Sequence, residues 1–373
     1  MTNRIASSIS SITNGFSKNA ITAILVAVSI VLVGTVIMIT KGAGFFTAVE
    51  SDDGSLSSNA KLVTDSSASG GKAIQFTAPA PAPTPPPPTT PPPTPTPPPP
   101  SGGSCALPKY PTGSCTGVPS DVTLTNYTGS LVITTPGQVI DGKTINGTLD
   151  IRAHDVVIKN SQINGPIMND NTSTRYRFTV EDSFIRGAAS GCSSWGNGAV
   201  GVAEYTARRV RISGFPDGFR VAGSNILIED SHVTLCSANV NDHSDGIQVY
   251  GASNSTNITI RHNTIDQRPV TNGAATAPIF APVDGAQQGN SGVTLSIVDN
   301  LVAGGGYSIR AFGTLPMTVL AFTGNKVVNN TWAYGPLDVT CSKIQSFSGN
   351  AVVTFDFTTG SILSQVRTLN DCP

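Results

Sequence analysis

Residues 156–163 read VVIKNSQI, and the same pattern returns seven more times before the C-terminus. The others are FTVEDSFI (178–185), ARRVRI (207–212), ILIEDSHV (226–233), ITIRHNTI (258–265), LSIVDNLV (295–302), LAFTGNKV (320–327) and SFSGNAVV (346–353). Each holds two apolar residues five apart, usually with Ser or Asn between them. The anchors are Ile158, Val180, Ala207, Ile228, Ile260, Ile297, Phe322 and Phe347. Their partners are Ile163, Ile185, Ile212, Val233, Ile265, Val302, Val327 and Val352. The spacing between anchors runs from 21 residues (207 to 228) to 37 residues (260 to 297). Unequal spacing with short β-branched runs and no amphipathic helix predicts a coil whose loops vary while its walls stay in register.

A second column interleaves with the first: DGFRV, DGIQV, APIFAPV, YSIRAFG and GPLDV. Alternation along a strand turns Phe219, Val221, Ile247, Val249, Ile309, Ala311, Leu337 and Val339 inward. It turns Arg220, Gln248, Phe280, Arg310 and Asp338 outward, with Tyr250 and Phe312 two residues further on. Separations of 28, 32, 30 and 28 residues along the outward row fit one coil per repeat, with two or three parallel strands in each. At about 4.8 Å per coil, eight to ten coils would make a rod of about 40–50 Å.

Asn263, Asn300, Asn325 and Asn350 share one offset, as a ladder of stacked side-chain amides requires. With the two columns, this resembles the right-handed parallel β-helix of the pectate-lyase-like superfamily over residues 120–355. The resemblance implies an all-β fold: a right-handed single-stranded parallel β-helix. It leaves the chemistry open, because that fold carries lyases, hydrolases, esterases and adhesins.

The rest of the chain predicts how such a domain is displayed. Residues 1–19 form a short cytoplasmic tail, and residues 20–40 carry no charge. At about 1.5 Å per residue that stretch reaches about 30 Å, a bilayer's thickness. Arg4 and Lys18 before it favour a cytoplasmic N-terminus. The run is long for a cleaved signal peptide and lacks a small-residue cleavage site. Residues 41–78 form a polar linker, and 79–104 a Pro-rich stalk of polyproline II at about 3.1 Å per residue. Within the linker Glu50, Gly54, Leu56, Ser57 and Ala68-Ser69-Gly70-Gly71-Lys72 resemble the start of carbohydrate-binding modules of families six and thirty-five. A β-sandwich needs about a hundred residues, so the resemblance stops short of a module. Residues 105–373 are the β-helix domain.

A net charge of −1 with 12% charged residues argues against a nucleic-acid partner. No CxxC occurs and the four histidines are dispersed, so no metal or other cofactor is expected. The six cysteines all follow the anchor, which suggests disulfides in an oxidising compartment. Of the pairings open to six cysteines, Cys105–Cys115 and Cys341–Cys372 would pin caps at the coil ends, and Cys192–Cys236 would tie two loops.

The segment HSDGIQ, His243 to Gln248, resembles the Asn-Thr-Asp-Gly-Ile-Asp signature of polygalacturonases. The resemblance puts Asp245 in the place of a catalytic carboxylate. Gln248 replaces the second Asp, Asp266 stands without a second carboxylate beside it, and no Gly-His-Gly appears. Asp217 precedes Gly218 in the same register one coil earlier. Two such carboxylates could form an acid beside a base, or could cap two successive turns. For elimination, Arg220 or Arg310 would neutralise a uronate, and His243 or a second arginine would take the C5 proton. The Arg-x-Pro-x-x-Arg segment of many pectate lyases is absent. His154, His232 and His262 read as solvent-facing wall residues, as does the basic run Arg208, Arg209 and Arg211.

The expected catalytic group is therefore Asp217, Asp245, His243 and Arg310. Arg220, Gln248, Tyr250, Phe280, Phe312 and Asp338 would bind substrate. The outward row of arginine, amide and aromatic side chains suits an extracellular polysaccharide, cleaved by a lyase or a glycoside hydrolase. The alternative is a non-catalytic surface adhesin or structural protein.

Overall fold

The computed structural model describes residues 60–67, 71–76, 105–170, 172–188, 191–194, 198–237, 239–270, 274–283, 290–369 and 371–372. The expected anchor and stalk lie outside these residues, and no helix among them is long and apolar enough to cross a membrane. The chain divides into two units, Met1–Thr96 and Pro97–Pro373. In the first, Ala60–Thr64 pairs antiparallel with Lys72–Phe76.

The second unit is an all-β solenoid of stacked parallel strands. Among the described residues a nine-stranded sheet runs from Val139–Asp141 to Phe347–Ser348, one strand per coil. An eleven-stranded sheet runs from Thr125–Asn126 through Asn350–Asp356 and ends on the antiparallel strand Ser361–Leu369. A five-stranded sheet holds Phe219–Val221, His243–Val249, Ala274–Pro282, Tyr307–Phe312 and Gly335–Val339. Val200 bridges Phe219 to Ile167 and so links it to the three strands of the first coils.

The two columns of apolar residues are these walls seen from inside. Ile158, Val180, Ala207, Ile228, Ile260, Ile297 and Phe322 are paired in that order and are fully buried. Phe347, on the last coil, is half-buried and stacks its ring on Phe322 at 5.3 Å. The Ile163-to-Val352 column is buried in the neighbouring sheet.

Between the two columns the chain turns a corner in the left-handed region at Asn160, Asp182, Asp230, His262 and Asp299. Asn and Asp tolerate that conformation because short polar side chains bond locally. The corner turns the next amide out of the strand ladder, and a buried side chain one coil on accepts it. Asn263 N donates to Asn300 Oδ1 at 3.1 Å, Asn300 N to Asn325 Oδ1 at 3.1 Å, and Asn325 N to Asn350 Oδ1 at 2.9 Å. The four-asparagine ladder is present, and serine extends it. Ser231 N donates to Asn263 Oδ1 at 3.0 Å, and Ser161 N to Ser183 Oγ at 3.1 Å.

Outside the nine-stranded sheet, Asp141, Lys159, Glu181, Arg208, Glu229 and Arg261 stand in register with alternating sign. Opposite charges on neighbouring strands attract, and a one-coil slip would oppose like charges. Arg209 turns away from this row and grips Asp182 with two bonds of 2.6 Å.

All three expected disulfides are formed. The first does not cap an open coil end. Cys105–Cys115 closes a strap that lies against the outside of the eleven-stranded sheet. Tyr110 N donates to Gly360 O at 2.8 Å, and Gly117 N to Arg209 O at 2.9 Å. Tyr110 is buried with Leu301, Ala303, Val328, Ala351 and Val353, a second apolar cluster on that outer face. His262 is therefore not a solvent-facing wall residue. It is buried at a corner, with Nδ1 2.6 Å from Asp230 Oδ1 and Nε2 2.9 Å from Lys109 O. Both partners are acceptors, so the ring bonds both as an imidazolium. Its pKa is raised, because these bonds and the Asp230 charge outweigh the burial that opposes them. His232 is half-buried rather than exposed, and its Nδ1 is enclosed.

Candidate functional site

The five-stranded sheet presents one row outward. Arg220 pairs with Gln248, Gln248 with Phe280, Phe280 with Arg310 and Arg310 with Asp338. The intervening residues Phe219, Val221, Ile247, Val249, Ile309, Ala311 and Leu337 are buried. Only Val339 of the inward set keeps intermediate exposure. Phe280 faces outward yet is buried, with its ring 6.3 Å from that of Phe312.

One part of the row is a closed polar knot. Arg220 stacks on the Tyr250 ring at 4.2 Å and donates from Nη1 to Gln248 Oε1. Gln248 Nε2 donates to Asp245 Oδ2 at 2.9 Å. Asp245 Oδ1 accepts Ala277 N at 3.2 Å, and Asp217 Oδ1 accepts Asp245 N at 2.9 Å. Each carboxylate thus receives an amide of the following coil, the reverse of the asparagine ladder, where each Oδ1 accepts from the coil before it. Asp245 is 1% exposed and both its oxygens are engaged. It lies inside the strand His243–Val249, where the register shifts against the next coil; it ties the two coils together and offers no surface to a ligand.

Burial raises both acids. It pushes Asp217 up to about 7 and Asp245 well above the usual carboxylate range, the latter helped by the charge of Asp217. A carboxyl whose folded pKa is raised adds stability that is full below its unfolded pKa and is lost as pH rises through the folded one. Folding stability should therefore fall between about pH 4 and pH 7. Asp217→Asn keeps an oxygen for the Asp245 amide and cannot ionise. It should remove part of that fall, on the order of 2 kcal/mol, and be more stable than the parent at pH 8. Urea unfolding at pH 5 and pH 8 checks this, and an unchanged pH profile would count against it.

The other part of the row opens into a cleft of about 480 Å³, lined by His243, Ala275, Thr276, Gly305, Gly306, Tyr307, Arg310, Ala333 and Tyr334. His243 and Arg310 come from strands two apart in the sheet. Arg310 donates from Nε and Nη2 to Asp338 Oδ2 at 2.9 and 2.8 Å and lies 4.3 Å from the Phe312 ring centre. Tyr307 and Tyr334 lie side by side with ring centres 5.7 Å apart, and Tyr334 is 78% exposed. Glycine keeps the rings close to the wall, since a Cβ on Gly335 would come within 3.0 Å of Tyr307. Thr276 Oγ1 is buried without a hydrogen-bond partner.

Tyr307, Tyr334 and Thr276 were not among the residues singled out from sequence. Tyr307 opens the quoted strand YSIRAFG, and Tyr334 precedes the glycine paired with it one coil later. Two aromatics at the entrances of consecutive strands of one column, one residue out of register, were the signal available. Among the described residues no group of three or more His, Cys, Asp or Glu side chains is placed to hold a metal ion. Comparison with protein-family models, with curated proteins and with solved structures gives no match to this chain.

Proposed function

We propose that this chain is a surface-displayed β-helix, right-handed and of the pectate-lyase-like kind, that binds an extracellular polysaccharide bearing carboxylates. Residues 20–40 would anchor it, with the second unit outside the cell. The observation that carries the reading is the cleft: two tyrosine rings beside an arginine and an exposed histidine. Aromatic faces pack on the apolar faces of pyranose rings. Arginine binds a carboxylate through its planar fork. Thr276 Oγ1 supplies an unused partner for a sugar hydroxyl.

Binding with elimination fits this cleft better than hydrolysis. Arg310 would hold the uronate carboxylate with the N–H groups its pair with Asp338 leaves free, and His243 would take the C5 proton as C4=C5 forms and the C4–O bond breaks, the leaving oxygen taking a proton from water. Hydrolysis needs two carboxyls facing the scissile bond, and Asp217 and Asp245 are spent on backbone amides. The second reading, an adhesin without turnover, is favoured by that same engagement. The test is incubation of the full-length chain with uronate and neutral polysaccharides. Ultraviolet absorbance of an unsaturated uronide would report elimination. Saturable binding of a uronate polymer without that product would leave the adhesin, and no binding of any polysaccharide would refute both.

Tyr334 is 78% exposed, so its removal should leave the fold intact. Tyr334→Ala should weaken uronate-oligosaccharide binding about tenfold, the loss of one stacking contact of about 1.4 kcal/mol. Titration calorimetry with a melting curve on the same sample checks it; unchanged affinity would remove the cleft from the account.

A further inference from the structure

A second cavity lies on a different face, between the strap and the outside of the eleven-stranded sheet. Its volume is about 320 Å³. Strap residues 113–120 line one side, and Gln162, Phe184 and Arg211 rise from consecutive strands on the other. Arg211 lies over the Phe184 ring at 4.8 Å. Its one side-chain hydrogen bond among the described residues is a long one, Nη1 to Gly113 O at 3.4 Å, and no carboxylate there pairs with the guanidinium; nearby Asp182 pairs with Arg209. A guanidinium has five N–H donors, and among the described residues only one of those of Arg211, which lines the cavity, is used.

The neighbours sharpen the point. Asp182 lines the cavity, but both its oxygens accept from Arg209 at 2.6 Å. His232 follows Arg211 in register on the next strand. Burial, with the Arg211 charge, depresses its pKa to about 4, so the ring is neutral. The cavity therefore holds one net positive charge, on a planar fork backed by an aromatic ring, with hydroxyls of the strap opposite.

We infer that this cavity binds a small organic carboxylate of monosaccharide size, held through the fork of Arg211. One arginine matches one carboxylate bidentately, and the Phe184 ring fixes the guanidinium plane. The ligand's body would lie under the strap. The Cys105–Cys115 disulfide holds that roof closed on itself. The inference is independent of the polysaccharide reading, because cleft and cavity share no residue.

The test is titration calorimetry of the full-length chain, purified under oxidising conditions, with D-galacturonate, acetate and D-galactose. Galacturonate should bind at a site that Tyr334→Ala leaves intact, and galactose should not compete for it. Arg211→Gln should weaken that binding at least tenfold with an unchanged melting temperature. Arg211→Lys keeps the charge without the fork and should fall between. If Arg211→Gln does not fold, Arg211→Lys decides: reduced affinity supports the site, and parental affinity overturns it. No saturable galacturonate binding, equal binding of galactose, or loss in Tyr334→Ala alone would also overturn it.

Discussion

Asn300→Ala should lower the unfolding free energy by about 4 kcal/mol, the sum of roughly two to three orphaned buried groups at about 1–3 kcal/mol each. Asn300 is 0% exposed at the middle of the ladder. Its Oδ1 accepts both Asn263 N and Asn263 Nδ2, at 3.1 and 3.0 Å. Its Nδ2 donates to Ile260 O at 3.0 Å and Asn325 Oδ1 at 3.1 Å. Alanine removes all four bonds. Asn300→Asp keeps the acceptor and loses both donations, so its carboxylate would face two oxygens. It should be at least as damaging at neutral pH and partly recover in acid, where the carboxyl regains a proton to donate. Urea unfolding at two pH values separates these cases. A loss below about 1 kcal/mol, the worth of one ordinary net hydrogen bond, would mean the ladder is incidental.

The second large effect lies on the opposite side of the same wall. Glu229→Gln should cost about 2–4 kcal/mol, somewhat less than a fully buried ion pair broken on one side because both arginines reach solvent. Glu229 is 2% exposed between Arg208, whose Nε donates to Oε1 at 2.5 Å, and Arg261, bonded to Oε2. The amide keeps one acceptor oxygen and turns an N–H₂ group toward a guanidinium. Salt should soften the parent's advantage only slightly, since a buried charge is poorly screened. Glu181→Gln, in the same column but more exposed and farther from Arg208 at 4.0 Å, should cost much less. Equal losses at the two positions would refute the burial argument.

Much of this architecture was legible in the sequence because period is a property of sequence. A residue such as Ile228 must face inward if Ile260 and Ile297 do, and the asparagines follow at a constant offset. Coil register therefore came from spacing alone. The strap did not. Nothing in the residues 105–117 says that they lie along the wall, since Tyr110 is buried by residues far away in sequence. His262 was misread for the same reason: its partner Lys109 O lies 153 residues away. At the candidate site the strip of outward residues could be read from alternation, but alternation gives a direction and not an exposure. Phe280 points outward and is buried; Asp245 lies inside the strand His243–Val249 and is enclosed by Ala277 N and Gln248. The tyrosine pair was missed because Tyr334 stands in a turn, outside the repeat that drew attention to everything else.

The claim that the cleft receives a carboxylate-bearing sugar is tested most directly by a crystal structure of the chain soaked with a short uronate oligosaccharide. The account expects a pyranose ring against Tyr307 and Tyr334, with its carboxylate at Arg310 and a hydroxyl within bonding distance of Thr276 Oγ1. Sugar density on another wall, or an occupied cleft whose carboxylate points away from Arg310, would contradict it.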